Sequence, residues 1–156
     1  MLKDVQAALE GAIAEFEKWR QAEQERLRER ERFEADWARI QTGVVTPALE
    51  ELAVLLRNAG WQCSVGGTGD KGVRLMIYQG SNADPSVVRS YMIYELEKQK
   101  NAILVHLTTK GLRAAPVGSF ALDKITEDFV QTEATKFFTR VVSEIASPQR
   151  KDVELV

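Results

Sequence analysis

Residues 2–41, LKDVQAALEGAIAEFEKWRQAEQERLRERERFEADWARIQ, contain no proline, and Gly11 is their only glycine. A stretch this long without a helix-breaking residue predicts one continuous helix. Its first half carries apolar residues at alternating spacings of three and four, the pattern of a heptad seam. These seam residues are Leu2, Val5, Leu9, Ala12, Phe16 and Trp19.

The same heptad register, continued along the chain, reaches a second apolar group made of Phe33, Trp37, Ile40 and Val44. Between the two groups it meets charged residues in the segment 20–32, RQAEQERLRERER. Glu and Arg recur there three residues apart, a spacing that supports a solvated helix by a few tenths of a kcal/mol per pair. The sequence therefore predicts two apolar segments in one phase, joined by a Glu/Arg spacer.

The length of this helix indicates a partner. About 40 helical residues span roughly 60 Å, whereas the remaining chain should fold into a domain roughly 35 Å across. We therefore expect a projecting helix over residues 1–32, a globular domain over 33–148 and a tail over 149–156. The first apolar group would then be covered by another chain, in a homodimer, a higher homo-oligomer or a groove of a different protein. The alternative is that this segment packs on its own domain.

Phe16 and Trp19 bear on the kind of assembly. Such bulky side chains fit poorly into a narrow two-stranded seam, where leucine and β-branched residues pack best. They favour an irregular helical dimer, a tetramer or a groove.

The rest of the chain predicts an α+β domain. Gly43 would end the long helix, and Thr46-Pro47 would start a second helix that Gly60 closes. Five strand-like runs follow, and their short connectors favour an antiparallel meander. These runs are 61–65, 73–78, 88–96, 102–108 and 112–122. A C-terminal amphipathic helix, capped by Thr126 and packed on the sheet, would complete the fold.

Both faces of this sheet are expected to be apolar. One face, meant for the C-terminal helix, would carry Val73, Leu75, Ile77, Ile103, Val105 and Leu107. The other, a candidate ligand face of mixed aromatic, thioether and imidazole character, would carry Met76, Tyr78, Met92, Tyr94 and His106, with Leu104. A small-molecule-binding or enzymatic domain that uses this second face is the alternative to an interaction protein. Cover by a helix or by a symmetry mate would leave it without a ligand.

Composition excludes several classes of function. The formal net charge of −2 provides no cationic excess for nucleic acid. Cys63 and His106 are the only cysteine and histidine, which excludes an intrachain disulfide and most metal sites, and nothing predicts a cofactor. With no signal-like or membrane-spanning apolar stretch, the sequence favours a cytoplasmic protein.

Two local patterns suggest chemistry but fit it poorly. Gly67-Thr68-Gly69-Asp70-Lys71-Gly72 matches GxGxxG, yet a strand rather than a helix should follow it, so we interpret it as a hairpin loop. Ser119 and Asp123 can be grouped with His106 only on paper, because Ser119 lacks a nucleophile-elbow context. We assign no catalytic residue and expect an interaction or assembly module rather than an enzyme.

Overall fold

The structure is a computed structural model that describes residues 1–68, 72–78, 89–109 and 115–146. The chain divides into two compact units, Met1–Ala35 and Asp36–Val156. The predicted tail, 149–156, lies outside the described residues. Within the described ranges, no helix has the length and apolarity needed to cross a membrane.

The N-terminal helix, α1, runs over Leu2–Ile40. It continues without a break through a π-helical turn, Gln41–Val45, into α2, Thr46–Asn58. The predicted end of the helix at Gly43 is therefore wrong. So is the start of a new helix at Thr46, since Val45 before it is helical (φ −68°, ψ −53°) and no side chain caps α2.

Pro47 accounts for the π turn. In a regular α-helix its ring would collide with the carbonyl of residue 43, and it has no N–H to donate there. The wider turn avoids this conflict, and the Thr46 N–H donates to the Gln41 carbonyl instead. The side chain of Gln41 also donates to the backbone carbonyl of Gly72, at 3.1 Å. The proline thus widens the helix here without ending it.

The end of α2 is as predicted. Gly60 has a φ of +92°, the left-handed conformation that glycine adopts most readily. The Trp61 N–H donates to the Leu56 carbonyl at 2.9 Å. This reversal carries the chain into the sheet.

The sheet is the predicted five-stranded antiparallel meander, with its strands in sequence order. The strands are β1 (Gln62–Gly67), β2 (Gly72–Tyr78), β3 (Ser90–Leu96), β4 (Ile103–Thr108) and β5 (Ala115–Phe120). A 3₁₀ turn, Leu122–Lys124, leads to the C-terminal helix α3, Glu127–Ala146. The α+β fold class is thereby confirmed.

One sheet face forms the core of the second unit, together with α2, α3 and the π turn. All six residues predicted for the helix-covered face are buried. Leu49 and Ala53 of α2 and Phe137 and Val141 of α3 are buried with them. The helices therefore cover the sheet face predicted for them.

The start of α3 is also as predicted. The Thr126 hydroxyl accepts a hydrogen bond from the Phe129 N–H at 3.2 Å. Ile125 and Val130, which flank this cap at the positions of a hydrophobic staple, are both buried. The Trp61 ring meets Phe138 of α3 edge-on, with centroids 4.9 Å apart.

The two edge strands differ from the inner ones. On β1, the Arg57 side chain donates to the Cys63 backbone carbonyl at 3.1 Å. On β5, the register shifts, so that Val105 pairs with Gly118 but His106 pairs with Pro116, leaving Val117 as an extra residue. A side chain thus occupies one backbone acceptor of β1, and a bulge interrupts the pairing of β5.

Candidate functional site

The predicted partner-binding residues lie along one face of α1 and are exposed. Leu2 is 84% exposed, Trp19 is 60% exposed, and Ala12 is also in the exposed class. Val5, Leu9 and Phe16 are each more than half exposed as well. Soluble helices normally bury such a stripe.

Two further large apolar residues belong to this face and were missed by the strict heptad reading. Ile13 is 62% exposed and Leu27 is 51% exposed. Each comes directly after a seam position, Ala12 or Arg26, and so widens the seam on the same side. We call the set Leu2, Val5, Leu9, Ala12, Ile13, Phe16 and Trp19 the N-terminal stripe. It is thus wider than the strict seam of two residues per heptad in a regular coiled coil.

The aromatic end of the N-terminal stripe is locally ordered. The rings of Phe16 and Trp19 stack with centroids 5.9 Å apart and an interplanar angle of 30°. The pair presents a broad apolar surface. Aromatic side chains of this kind dominate the binding energy of many protein interfaces.

The Glu/Arg spacer neutralises its charges within the helix. Arg26 pairs with Glu23 at 3.0 Å, and Arg28 pairs with Glu25 at 4.0 Å, as the three-residue spacing predicts. The hydrogen bond from Arg26 to Glu23 raises the pKa of the arginine above its ordinary value. Arg30 pairs with Glu34 at 3.2 Å. Carboxylates one helical turn away thus balance these three arginines.

The second apolar group of the register belongs to the protein's own core at Trp37. Its side chain is 1% exposed, while Phe33, Ile40 and Val44 are half-buried. Trp19 and Trp37 thus occupy the same helix and the same heptad register but opposite environments.

The predicted ligand face is divided by the strand register. Met92 pairs with Leu75, and Tyr94 pairs with Val73, which places both on the helix-covered face with 0% exposure. Their assignment to the second face is wrong. Burial, with Glu133 of α3 nearby, raises the pKa of Tyr94 above its ordinary value.

Met76, Tyr78 and His106 do lie on the second face, which also carries Arg74, Tyr91, Ile93, Glu95 and Leu104. His106 Nε2 lies 3.0 Å from Glu95 Oε1. The Arg74 guanidinium lies 5.4 Å from the centre of the Tyr91 ring. The face therefore has an acid–imidazole pair and a cation on an aromatic ring, but Tyr78 itself is buried.

Ser119, the serine considered for a Ser-His-Asp site, has a different hydrogen-bond partner. The Ser119 hydroxyl donates to Glu97 Oε2 at 2.6 Å, while His106 is held by Glu95. This geometry gives no support to a Ser-His-Asp site. Among the described residues, no cluster of three or more His, Cys, Asp or Glu side chains is placed to hold a metal ion.

The GxGxxG pattern spans a hairpin connection, since Gly67 ends β1 and Gly72 begins the antiparallel strand β2. Residues 69–71 lie outside the described residues. A Cβ at Gly72 would come within 3.0 Å of the Tyr94 carbonyl oxygen and would meet Thr68. Close packing of the strands therefore explains this glycine without a phosphate ligand.

A shallow groove between α2 and α3 was not anticipated from the sequence. It encloses about 470 Å³ and is lined by Glu51, Leu52, Leu55, Gln131 and Thr135. Gln131 donates to Glu51 at 2.7 Å across it. The groove is apolar because Leu55 is 65% exposed. The sequence does not predict this exposure, because Leu55 lies beside the buried stripe of α2.

Comparison with known proteins adds no assignment to this geometry. No protein-family model, no curated protein and no solved structure matches the chain. The surfaces described above are therefore the basis for any functional conclusion.

Proposed function

We propose that the protein is an interaction or assembly module that self-associates through the N-terminal stripe, each stripe being covered by that of another copy. The observation that carries this proposal is the continuous exposure of the stripe from Leu2 to Trp19. A second copy always offers the same apolar surface, and symmetric pairs of identical patches are the commonest protein assemblies.

The energy of burial is adequate for association. Fully burying a large apolar side chain contributes about 1.5–3 kcal/mol. The six large members of the N-terminal stripe are already partly covered, so each contributes about 1 kcal/mol, or about 12 kcal/mol for two helices. The cost of association is about 4–15 kcal/mol. At the low end of that cost the net free energy is about −8 kcal/mol, which corresponds to a micromolar Kd.

The charges of α1 favour a second copy over a strongly charged partner. Ion pairs such as Glu17–Arg20, at 2.8 Å, satisfy the charges beside the stripe within each helix. Two copies therefore approach each other without strong repulsion, and nothing along this face selects a nucleic acid or an acidic groove. The proposal places the module in the cytoplasm, which suits its one free thiol, the buried Cys63.

Size-exclusion chromatography with light scattering tests the proposal on the full-length chain. At micromolar concentrations the mass should be at least twice the 17.5 kDa of one chain. The double variant Leu9→Glu/Phe16→Glu places two charges in the stripe and should be monomeric. The matched control, Ala7→Glu/Ala14→Glu, adds the same charge to exposed positions on the opposite side of α1 and should stay associated.

Two results would contradict self-association through the stripe. A monomeric wild-type chain at micromolar concentration would rule out the second copy and favour a groove on another protein. Dissociation of the control to the same extent as the stripe variant would show a general effect of charge.

A ligand site on the second sheet face is the alternative proposal. It is supported by the half-buried pair His106–Glu95 beside the Arg74–Tyr91 contact. Chemical-shift changes at Arg74 and His106 on titration with a panel of small anionic metabolites would support it. A panel that leaves these signals unmoved would count against it.

A further inference from the structure

We infer that the two N-terminal stripes pair antiparallel, with Leu2 of one copy opposite Trp19 of the other. This inference rests on the proposed self-association and specifies the partner surface. It follows from the sizes of the side chains along the stripe and from where its charges begin.

Side-chain size is distributed unevenly along the stripe. Its two largest members, Phe16 and Trp19, lie at one end, and its smallest, Ala12, lies next to them. In a parallel in-register pair, two tryptophans and then two phenylalanines would face each other, followed directly by two alanines. The distance between helix axes depends on the side chains at the contact and is about 8–10 Å. In the parallel pair, this interaxial distance would have to change sharply within two helical turns.

The antiparallel arrangement evens out these sizes. Trp19 faces Leu2, Phe16 faces Val5, and Leu9 faces Ala12 of the second copy. Every layer then joins a larger side chain to a smaller one, so one interaxial distance suits the whole overlap of about 27 Å. The stacked Phe16–Trp19 pair, with centroids 5.9 Å apart, lies against the aliphatic end of the other helix.

Charge supports the same register. The heptad positions after Trp19 are Glu23, Arg26 and Arg30. A parallel pair would place each of these opposite its own copy, so that like charges meet. In the antiparallel register none of these three residues faces its own copy, and the spacer keeps its internal pairs, such as Glu23–Arg26 at 3.0 Å.

Disulfide trapping distinguishes the two directions. Leu2→Cys and Trp19→Cys full-length variants, one with a size tag, are mixed at micromolar concentration and oxidised in a glutathione buffer. A disulfide needs Cα atoms within about 7 Å, whereas the two Leu2 positions of an antiparallel pair are about 25 Å apart. The mixed disulfide should therefore exceed either self-disulfide at least tenfold. Wild-type protein, whose Cys63 is buried, is the control for background cross-linking.

The outcomes separate this inference from the proposed function. A Leu2→Cys self-disulfide would overturn the antiparallel direction. The second pair of variants, Val5→Cys mixed with Phe16→Cys, tests the same register. If light scattering shows an oligomer but neither pair of variants forms a mixed disulfide or a self-disulfide, the register is overturned and self-association stands. A monomeric wild-type chain would overturn both.

Discussion

Trp19 and Trp37 offer a paired test of where each half of the long helix is buried. Trp37→Ala removes a side chain that is 1% exposed, and Trp19→Ala removes one that is 60% exposed. A buried tryptophan removes about 150–250 Å² from water, and truncation to alanine in a core costs about 3–5 kcal/mol. Trp37→Ala should therefore lower the free energy of unfolding of the second unit by that amount.

Trp19→Ala should cost far less in the monomer. Part of the cover on its ring comes from Phe16 of the same helix, and alanine is the better helix former. We expect a change in the free energy of unfolding within about 1 kcal/mol. The effect of Trp19→Ala should instead be seen as weaker association at micromolar concentration.

The assay is urea unfolding at sub-micromolar concentration, at which an association of micromolar affinity would be dissociated. Fluorescence of Trp61, which packs on Phe138 and is retained in both variants, reports on the second unit. Midpoints at an unchanged slope give the two free-energy differences. If Trp37→Ala leaves too little folded protein, Trp37→Leu provides the core measurement. A loss of 3 kcal/mol or more in monomeric Trp19→Ala would refute the reasoning, because the stripe would then be packed within its own chain.

Three further outcomes follow from the fold. Because burial and Glu133 raise the pKa of Tyr94, the folded chain retains a proton that the unfolded chain loses above pH 10. Stability should thus fall with rising pH above 10, and in pH-dependent urea unfolding Tyr94→Phe should show a shallower fall; an unchanged slope would contradict this. Gly60→Ala places a Cβ at a φ of +92° and should destabilise by about 1 kcal/mol or more, whereas Gly11→Ala, mid-helix with nothing within 4 Å, should stabilise α1 by about 0.5–1 kcal/mol. Thermal melts followed by circular dichroism compare the two variants. Melting temperatures that shift in the same direction would contradict the contrast between a left-handed backbone at Gly60 and a helical one at Gly11. Burial also raises the pKa of the Cys63 thiol, so a disulfide reagent at pH 8 should modify it only as fast as the native chain opens, and rapid stoichiometric labelling would be inconsistent with its burial.

Most of the fold could be predicted because its local signals agree with one another. Thr126 caps α3, Gly60 ends α2, and the short connectors make the strands antiparallel neighbours. The end of α1 could not be predicted from Gly43. The conformational freedom of glycine is only a local preference, whereas the burial of Trp37 and Val45, on either side of Gly43, keeps the backbone helical.

The candidate sites were predicted only in part, because the sequence shows which positions share a face in some strands and helices but not in others. In β4, the buried Val105 and Leu107 alternate with His106 and Thr108, so its inner face is evident from the sequence. In β3, Ile93 is apolar like its neighbours Met92 and Tyr94, so the sequence does not show which parity faces the helices. Only pairing with β2 decides it. On α1, the seam was found because its period repeats, while Ile13 and Leu27 were missed because they lie one residue off that period.

The two sheet edges bear on how far any assembly of this protein can grow. A bare edge strand templates further strands and leads to open-ended fibres. Here the Arg57 side chain hydrogen-bonds to the backbone of one edge strand, and Pro116 with its adjacent bulge interrupts the other. Growth strand by strand is thereby discouraged, whereas a symmetric pair of helices uses up its own contact surface and stops. An assembly built by the proposed pairing of the N-terminal stripes should therefore have a fixed size.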